Sequence, residues 1–404
     1  MTNLSILSIP NVLKGTINLP SSKSISNRVL IIRYLSGWNG LIDNLSQATD
    51  TLLLNEILNS SKSEINTANA GTVMRFLTAV LSITKGKFLL FGSDRMNERP
   101  IFPLVDALKS IGAEIEYSEQ DGFPPIKIAG KQLTGGQVNI KADVSSQFIS
   151  ALLMIAPLME KGLTINLTTK PVSSDYIRMT IELMKYFSVD VITGDSYIVK
   201  PQQYIPKEIS IESDWSSAAY IFALTSLKPG SQIKLIGLRQ DSIQADKIIS
   251  IIMEQFGIQT TYESVGMTIE SKDIQPEQFE FDFTNYPDLV PVMVVLCAIK
   301  KIPFHFSGVG HLRYKESDRL AALRDELFKI GAIIQIGENE ISSVNYTPKP
   351  ANTIILNSHN DHRLAMGFAL LSCLDQSVQV SGMEVVDKSY PRFWDDLASL
   401  RLMF

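Results

Sequence analysis

With 404 residues, 45% hydrophobic and 20% charged, the chain is too long for one ordinary core and fits two domains of about 200 residues each. Its 37 lysines and arginines stand against 42 acidic residues, a net charge of −5, which argues against nucleic acid or an anionic membrane as the main partner. No stretch reaches the roughly 18 apolar residues of a membrane span, and Met1 to Pro10 has no basic leader, so a cytoplasmic protein is expected.

The first predicted helix follows Leu19-Pro-Ser-Ser-Lys-Ser-Ile-Ser-Asn-Arg28, where Ser22, Lys23, Ser24, Asn27 and Arg28 precede or enter an apolar run. Free backbone N–H groups, the positive end of the helix dipole and two cationic side chains suit a phosphate or carboxylate there. Similar polar or small helix starts recur at 69–72, 143–147, 213–217, 285–288 and 360–363, each running into an apolar stretch. A second mark is a helix that ends in an apolar and a small residue before a strand, at 107–115, 183–191, 252–260 and 326–334, with weaker copies at 52–58 and 393–400. Glycine suits the left-handed cap and the β-branched residues beyond it suit a strand. A third mark is a strand, a polar loop and a second helix, with strands at 88–91, 163–167, 233–236, 303–306 and 378–380. A period of about 70 residues exceeds that of solenoid repeats, roughly 20–50. Six α/β units therefore predict two similar domains of three, with sheets covered by helices. Units one to three end near 207–212, and a strand over 5–19 is expected to complete the other domain. The expected domains are 21–212, and 1–20 with 213–404, the two crossings forming a hinge. Cys297 and Cys373 sit in apolar runs, where buried thiols are expected rather than a disulfide, metal site or nucleophile.

Cations fall repeatedly at the mouths of these units: Lys23, Arg28, Arg75, Arg95, Arg99, Lys315, Arg319, Arg363 and Lys388. One alone reads as a solvated charge, whereas equivalent positions in several repeats point to a shared polyanion site. In Arg313-Tyr-Lys-Glu-Ser-Asp-Arg-Leu320, Ser317 is the expected N-cap and Asp318 a dipole-favoured helix-start acid. Glu316 is the candidate for proton transfer, although neighbouring cations would lower its pKa and weaken it as a base. His362, between Asp361 and Arg363, stands at another helix start. Asp288 either caps the apolar helix that follows it or faces a ligand.

The motifs then resemble those of the 5-enolpyruvylshikimate-3-phosphate synthase family. Besides Pro20-Ser-Ser-Lys-Ser-Ile-Ser-Asn-Arg28, they are Asn69-Ala-Gly-Thr-Val-Met-Arg75, Arg95-Met-Asn-Glu-Arg-Pro100 and Ser145-Ser-Gln-Phe148, then Tyr314-Lys-Glu-Ser-Asp-Arg319, Asn360-Asp-His-Arg363 and Lys388-Ser-Tyr-Pro391. They keep family order and cover nearly the whole chain. The resemblance implies transfer of the enolpyruvyl group of phosphoenolpyruvate to the 5-hydroxyl of shikimate 3-phosphate, the sixth step of the shikimate pathway. It also implies an inside-out α/β barrel of the enolpyruvyl transferase type, with three βαβαββ units in each of two domains that close on the substrates. No metal or organic cofactor is implied, and a monomer is expected.

By the same resemblance, Lys23, Ser24, Arg28, Ser145, Ser146, Gln147, Ser173, Tyr176, Asp288 and Lys315 would hold shikimate 3-phosphate. Phosphoenolpyruvate would be surrounded by Lys23, Asn69, Gly71, Arg95, Gln147, Arg319, His362, Arg363 and Lys388. Asp288 resembles the residue that takes the 5-hydroxyl proton, Glu316 resembles the acid that handles the C3 proton, and Lys23 and Lys388 complete the catalytic set. Three positions depart from the family pattern, Ser21 the least consequential of them. Phe76 stands where many members have proline, so sensitivity to the herbicide glyphosate is not implied, and His311 stands where many have asparagine. Two alternatives compete. One is the enolpyruvyl transferase acting on UDP-N-acetylglucosamine, which usually carries a reactive cysteine or aspartate on a mobile loop. The other is a phosphometabolite-binding protein without turnover.

Overall fold

The structure, a computed structural model, describes residues 3–6, 11–347, 353–374 and 377–400. The chain divides into two compact units, one of Lys23–Ile211 and one of Met1–Ser22 with Glu212–Phe404.

One supersecondary plan recurs. In the Lys23–Ile211 unit, strand Glu64–Asn66 leads into helix Gly71–Ile83, strand Gly86–Phe91, helix Phe102–Ser110 and strands Glu114–Tyr117 and Ile126–Gly130. The first two strands pair parallel; the last strand then lies antiparallel between the second and the third. A parallel pair needs a crossover, and a helix supplies it. The same βαβαββ plan returns in the other unit, with strands Phe279–Asp282, Phe304–Ser307, Ala332–Ile336 and Glu340–Tyr346 around helices Val290–Lys300 and Arg319–Leu327. It returns once more where Lys14–Asn18 pairs parallel with Gln232–Ile236, followed outward by Gly266–Ser271 and Ile258–Glu263.

Two expected elements take another form in the structure. The strand expected over 5–19 is two strands in different sheets: Asn3–Ile6 pairs with Ser377–Ser381, and Lys14–Asn18 with Gln232–Ile236. Four helix ends carry the expected left-handed residue, Gly112, Ser188, Gly257 and Gly331, with φ of 95°, 66°, 84° and 91°. After Ser188, however, no strand forms at 189–191. Gln202 bonds both the amide and the carbonyl of Asp190, at 2.9 and 3.0 Å, and only an isolated bridge between Ile192 and Ile198 remains.

Helices Val290–Lys300 and His362–Ala369 are buried nearly all round, as are Gly71–Ile83 and Ser146–Ile155 in the other unit. Such helices draw their stability from packing, about 1.5–3 kcal/mol for each large apolar side chain buried. Charged side chains are few in them: Arg363 in a first turn, Arg75 one turn in, and Lys300 at a last position. No described helix is long and apolar enough to cross a membrane.

Candidate active site

Helix Lys23–Ser36 opens the Lys23–Ile211 unit, and its first two turns carry Lys23, Ser24 and Arg28. Lys23 pairs with Asp50 at 3.2 Å. Arg28 is buried; its Nε donates to Thr180 at 2.7 Å, Nη1 to the Ser24 carbonyl at 2.9 Å, and Nη2 to Ser150 and the Tyr176 carbonyl at 3.4 and 3.2 Å. Its guanidinium lies 5.4 Å from the ring centre of Phe76 and 6.0 Å from that of Tyr176. Burial pulls its pKa down to about 10, still charged at neutral pH. Phe76, the family departure, is thus a buried wall beside Arg28.

The anion-attracting helix start is clearest at Gly71. A Cβ there would fall 2.8 Å from Nη2 of Arg99 and 2.9 Å from Nη1 of Arg75, so two guanidiniums border the same helix N-terminus. Only glycine leaves that approach open, and free amides beside two cations favour an anion. Gln147 joins this region through its Nε2, which donates to Thr72 at 3.2 Å, while Ser145 caps helix Ser146–Ile155 by accepting from the Gln147 amide. Ser173 is buried and left-handed, with φ of 55°, and its side chain makes no cap bond to helix Ser174–Tyr186. Arg95, on the short helix Asp94–Asn97, pairs with Glu98 at 3.1 Å.

The other unit gathers charges differently. Arg319 is 1% exposed and donates to three carboxylates: Nε to Asp361 at 2.8 Å, Nη1 to Asp288 at 3.1 Å and Nη2 to Glu316 at 3.1 Å. Arg363 holds the second oxygen of Asp288 at 2.9 Å, and Lys388 the second oxygen of Glu316 at 3.2 Å. Removing one partner from a buried set of this kind typically costs 3–5 kcal/mol, because a charge is left uncompensated. Asp288, Glu316, Arg319, Arg363 and Lys388 are therefore one connected group. Burial would raise the Asp288 pKa, but Arg363, Arg319 and Lys315 outweigh it and hold the carboxyl well below its usual range.

Local sequence explains why these groups are available. Helix Val290–Lys300 has Leu289 at its N-cap and Pro291 in its first turn, so Asp288 is not its cap and its carboxylate turns to the guanidiniums. The expected cap Ser317 is corrected to Asp318, which accepts from the Ala321 amide at 3.1 Å. A carboxylate is favoured over a hydroxyl at the positive end of the dipole, and Ser317 instead donates to Asp361 at 3.2 Å. Asp361 caps helix His362–Ala369 through the Arg363 amide, which places His362 and Arg363 in its first turn. His362 is buried with Nδ1 3.8 Å from Asp361, beyond hydrogen-bond reach. His311 is also buried, and burial, with Lys315 and Arg319 nearby, lowers its pKa to about 3, leaving a neutral imidazole.

Three neighbours of this group escaped the motif reading. Tyr220 donates to the Arg363 carbonyl at 3.3 Å. Asp214 caps helix Trp215–Ser226 through the Ser217 amide at 2.7 Å. Asp246 accepts from Ser216, and burial together with Asp288 raises its pKa to about 7. The polar helix start at 213–217 was a signal for Asp214; none in the sequence marked Tyr220 or Asp246. Among the described residues, no group of three or more His, Cys, Asp or Glu is arranged to hold a metal ion. Cys297 is buried in its helix and Cys373 is half-buried.

Arg363 supplies the sharpest chemical signal. It is 3% exposed, and its Nε and Nη1 have no hydrogen-bond partner among the described residues. Two buried guanidinium nitrogens with donors to offer, on either side of the one that holds Asp288, suit the oxygens of a carboxylate or phosphate.

The family model of EPSP synthase (3-phosphoshikimate 1-carboxyvinyltransferase) matches residues 55–397. A 3-phosphoshikimate 1-carboxyvinyltransferase of Bacteroides fragilis is 41% identical over 395 residues, covering 97% of this chain and 96% of that one. One of Shewanella pealeana is 34% identical over 416 residues, covering 96% of each. Among solved structures, an EPSP synthase from Acinetobacter baumannii aligns with a TM-score of 0.76 at 21% identity, over 100% of this chain and 99% of that chain, a likeness of fold.

Proposed function

The chain belongs to the EPSP synthase family, and from that premise we propose that it is a 3-phosphoshikimate 1-carboxyvinyltransferase. It transfers the enolpyruvyl group of phosphoenolpyruvate to the 5-hydroxyl of shikimate 3-phosphate and releases phosphate. The observation that carries this reading to the side chains is Arg363, a buried guanidinium that grips Asp288 with one nitrogen and offers two more. Both substrates are carboxylates and phosphates, so fixed cations and helix N-termini must offset their charge.

We assign Lys23, Ser24, Arg28, Ser145, Ser146, Gln147, Ser173, Tyr176, Asp288 and Lys315 to shikimate 3-phosphate. Lys23, Asn69, Gly71, Arg95, Gln147, Arg319, His362, Arg363 and Lys388 are assigned to phosphoenolpyruvate. The 5-hydroxyl oxygen attacks C2 of phosphoenolpyruvate while C3 gains a proton, giving a tetrahedral intermediate. Loss of a C3 proton then re-forms the double bond as the C2–O bond to phosphate breaks. Asp288, held ionised by its guanidiniums, is the acceptor of the hydroxyl proton. So acidic a carboxyl is a weak base in the ground state, and it takes the proton as C–O bond formation acidifies the hydroxyl. Glu316, between Arg319 and Lys388, is assigned the C3 proton, with Lys388 and Lys23 as further candidates for proton transfer.

All these groups come from one chain, and we take the monomer, acting in the cytoplasm, as the working form. The UDP-N-acetylglucosamine enolpyruvyl transferase reading is not favoured by the family match. Mixing the protein with phosphoenolpyruvate and each acceptor in turn, while following phosphate, tests the assignment. Release with shikimate 3-phosphate alone is the expected result. Release only with UDP-N-acetylglucosamine would overturn it, and tight binding without release would leave a binding protein.

A further inference from the structure

Helix Arg319–Leu327 grips one loop at two points. At its start, Arg319 holds Asp361. Seven residues on, about two turns or 10 Å along the axis, Glu326 holds the other end of the same loop. Its Oε2 accepts from the Asn357 amide at 3.0 Å, and its Oε1 meets Nε2 of His359 at 3.0 Å. Glu326 is 4% exposed, and Lys329 pairs with it at 2.6 Å while donating to the Ile355 carbonyl. Burial opposes ionisation of this carboxyl, but His359, Lys329 and the Asn357 amide reverse the balance and lower its pKa.

The loop so held is not relaxed. His359 and Asn360 are consecutive left-handed residues, with φ of 52° and 54°, and neither is glycine. Such a conformation persists only where the surroundings over-determine it. Here the His359 amide is tied to the Asn357 side chain at 2.8 Å, the Asp361 amide to the Ser358 carbonyl at 2.9 Å, and the His359 ring to Glu326. The next residues are Asp361, His362 and Arg363. An error in this loop is passed directly to the Arg363 guanidinium, which is assigned to phosphoenolpyruvate.

We propose that Glu326 and His359 are positioning residues, a clamp on residues 357–361 that sets Arg363 and Asp361 for phosphoenolpyruvate. The proposal rests on the functional reading above. Neither residue touches the reacting atoms; both act through the backbone that carries those that do.

The test uses the full chain with Glu326→Ala, His359→Asn and the double variant. Asparagine tolerates the left-handed backbone and removes only the ring contact, so His359→Asn carries the test if Glu326→Ala does not fold. Three readouts are taken: kcat/KM for phosphoenolpyruvate, calorimetric binding of shikimate 3-phosphate alone, and amide hydrogen exchange across residues 357–363. We expect kcat/KM to fall about tenfold in Glu326→Ala and about threefold in His359→Asn, since misplaced groups cost rate steeply. The double variant should be no worse than Glu326→Ala, the non-additivity of residues acting as one unit. Exchange should quicken in all three, with shikimate 3-phosphate binding within about twofold of the parent. Parent-like exchange and kinetics in His359→Asn would overturn the clamp, as would additive losses that fall equally on both substrates. Absence of phosphate release from the unsubstituted protein would instead overturn the functional reading and, with it, the role of the clamp in this reaction.

Discussion

The two units hold their most deeply buried arginines in opposite ways. In the Lys23–Ile211 unit, Arg28 is held by hydroxyls and carbonyls of Thr180, Ser150, Ser24 and Tyr176, and none of these four partners is a carboxylate. In the other, Arg319 meets three carboxylates and Arg363 one. Neutral ligands position a cation while leaving its charge to an incoming anion. Carboxylate ligands cancel it, and they bring groups that hold and move protons. The first arrangement suits recognition of a phosphate and the second suits chemistry, so substitutions in the two units should fail differently.

The largest effect should come from Asp288→Asn. Losing a positioned acid–base group typically costs 10²–10⁴ in rate, and a fall in kcat on the order of 10³ is expected, about 4 kcal/mol of barrier. The change also frees Arg319 and Arg363 from a negative partner. KM for phosphoenolpyruvate should therefore stay level or drop while kcat collapses. Steady-state phosphate release measures both, and a raised KM at intact kcat would show that the second unit only binds.

A buried neighbour of Asp288 should reveal itself through pH. Asp246 is raised from 3.8 to about 7 by burial and by Asp288, so the folded protein holds a proton over a range in which the unfolded chain has released it. Its contribution to stability is thus fully present below about pH 4 and is lost as pH rises through about 7. Asp288, depressed, has the opposite sign: its contribution is present above the unfolded pKa and lost on acidification. Asp246→Asn removes the first slope and leaves the second. Relative to the parent, it should gain on the order of 1.4 kcal/mol for each pH unit between about 5 and 7. Urea unfolding at three pH values reads this directly, and a constant offset would mean that Asp246 is already ionised.

In the Lys23–Ile211 unit, Arg28→Lys keeps the charge and loses the fork that reaches four partners. Lysine offers one nitrogen where arginine offers three, so Ser24 and Tyr176 would lose their common anchor. Affinity for shikimate 3-phosphate should fall about tenfold, roughly 1.4 kcal/mol by calorimetry, with the turnover of bound substrates less affected. Loss of kcat without loss of affinity would erase the contrast between the units.

Much of this was legible because helix starts and ends are local chemistry. Caps such as Ser145, Asp214 and Asp361, and left-handed residues such as Gly257 and Gly331, act within a few residues of themselves. Strands at 86–91, 163–167 and 304–307 fall where apolar runs meet turn residues. What stayed hidden depends on distant partners. The missing strand at 189–191 is decided by Gln202, whose amide resembles any other in the sequence. The rise in the Asp246 pKa comes from burial and from Asp288, more than forty residues away, and Glu326 reads as an ordinary helix residue until Asn357 and His359 are folded onto it. The motifs single out Arg319, Arg363 and Asp288; only the fold reveals that one guanidinium holds three carboxylates.

The smallest effect is also the most discriminating, because two of its consequences run in opposite directions. Ser173 is a buried, left-handed residue that gives its helix no side-chain cap. A non-glycine residue there costs about 1–2 kcal/mol, which structure alone does not repay. Ser173→Gly relieves that strain, offset in part by the greater freedom of glycine in the unfolded chain, for a net gain below about 1 kcal/mol. If the serine is retained for its hydroxyl, the same change should weaken shikimate 3-phosphate binding several-fold, at about 0.5–1.5 kcal/mol for a lost hydrogen bond. Thermal unfolding and calorimetry on one variant then separate the two roles. A more stable protein that binds less well marks a strained residue kept for its ligand, whereas unchanged affinity would remove Ser173 from the site.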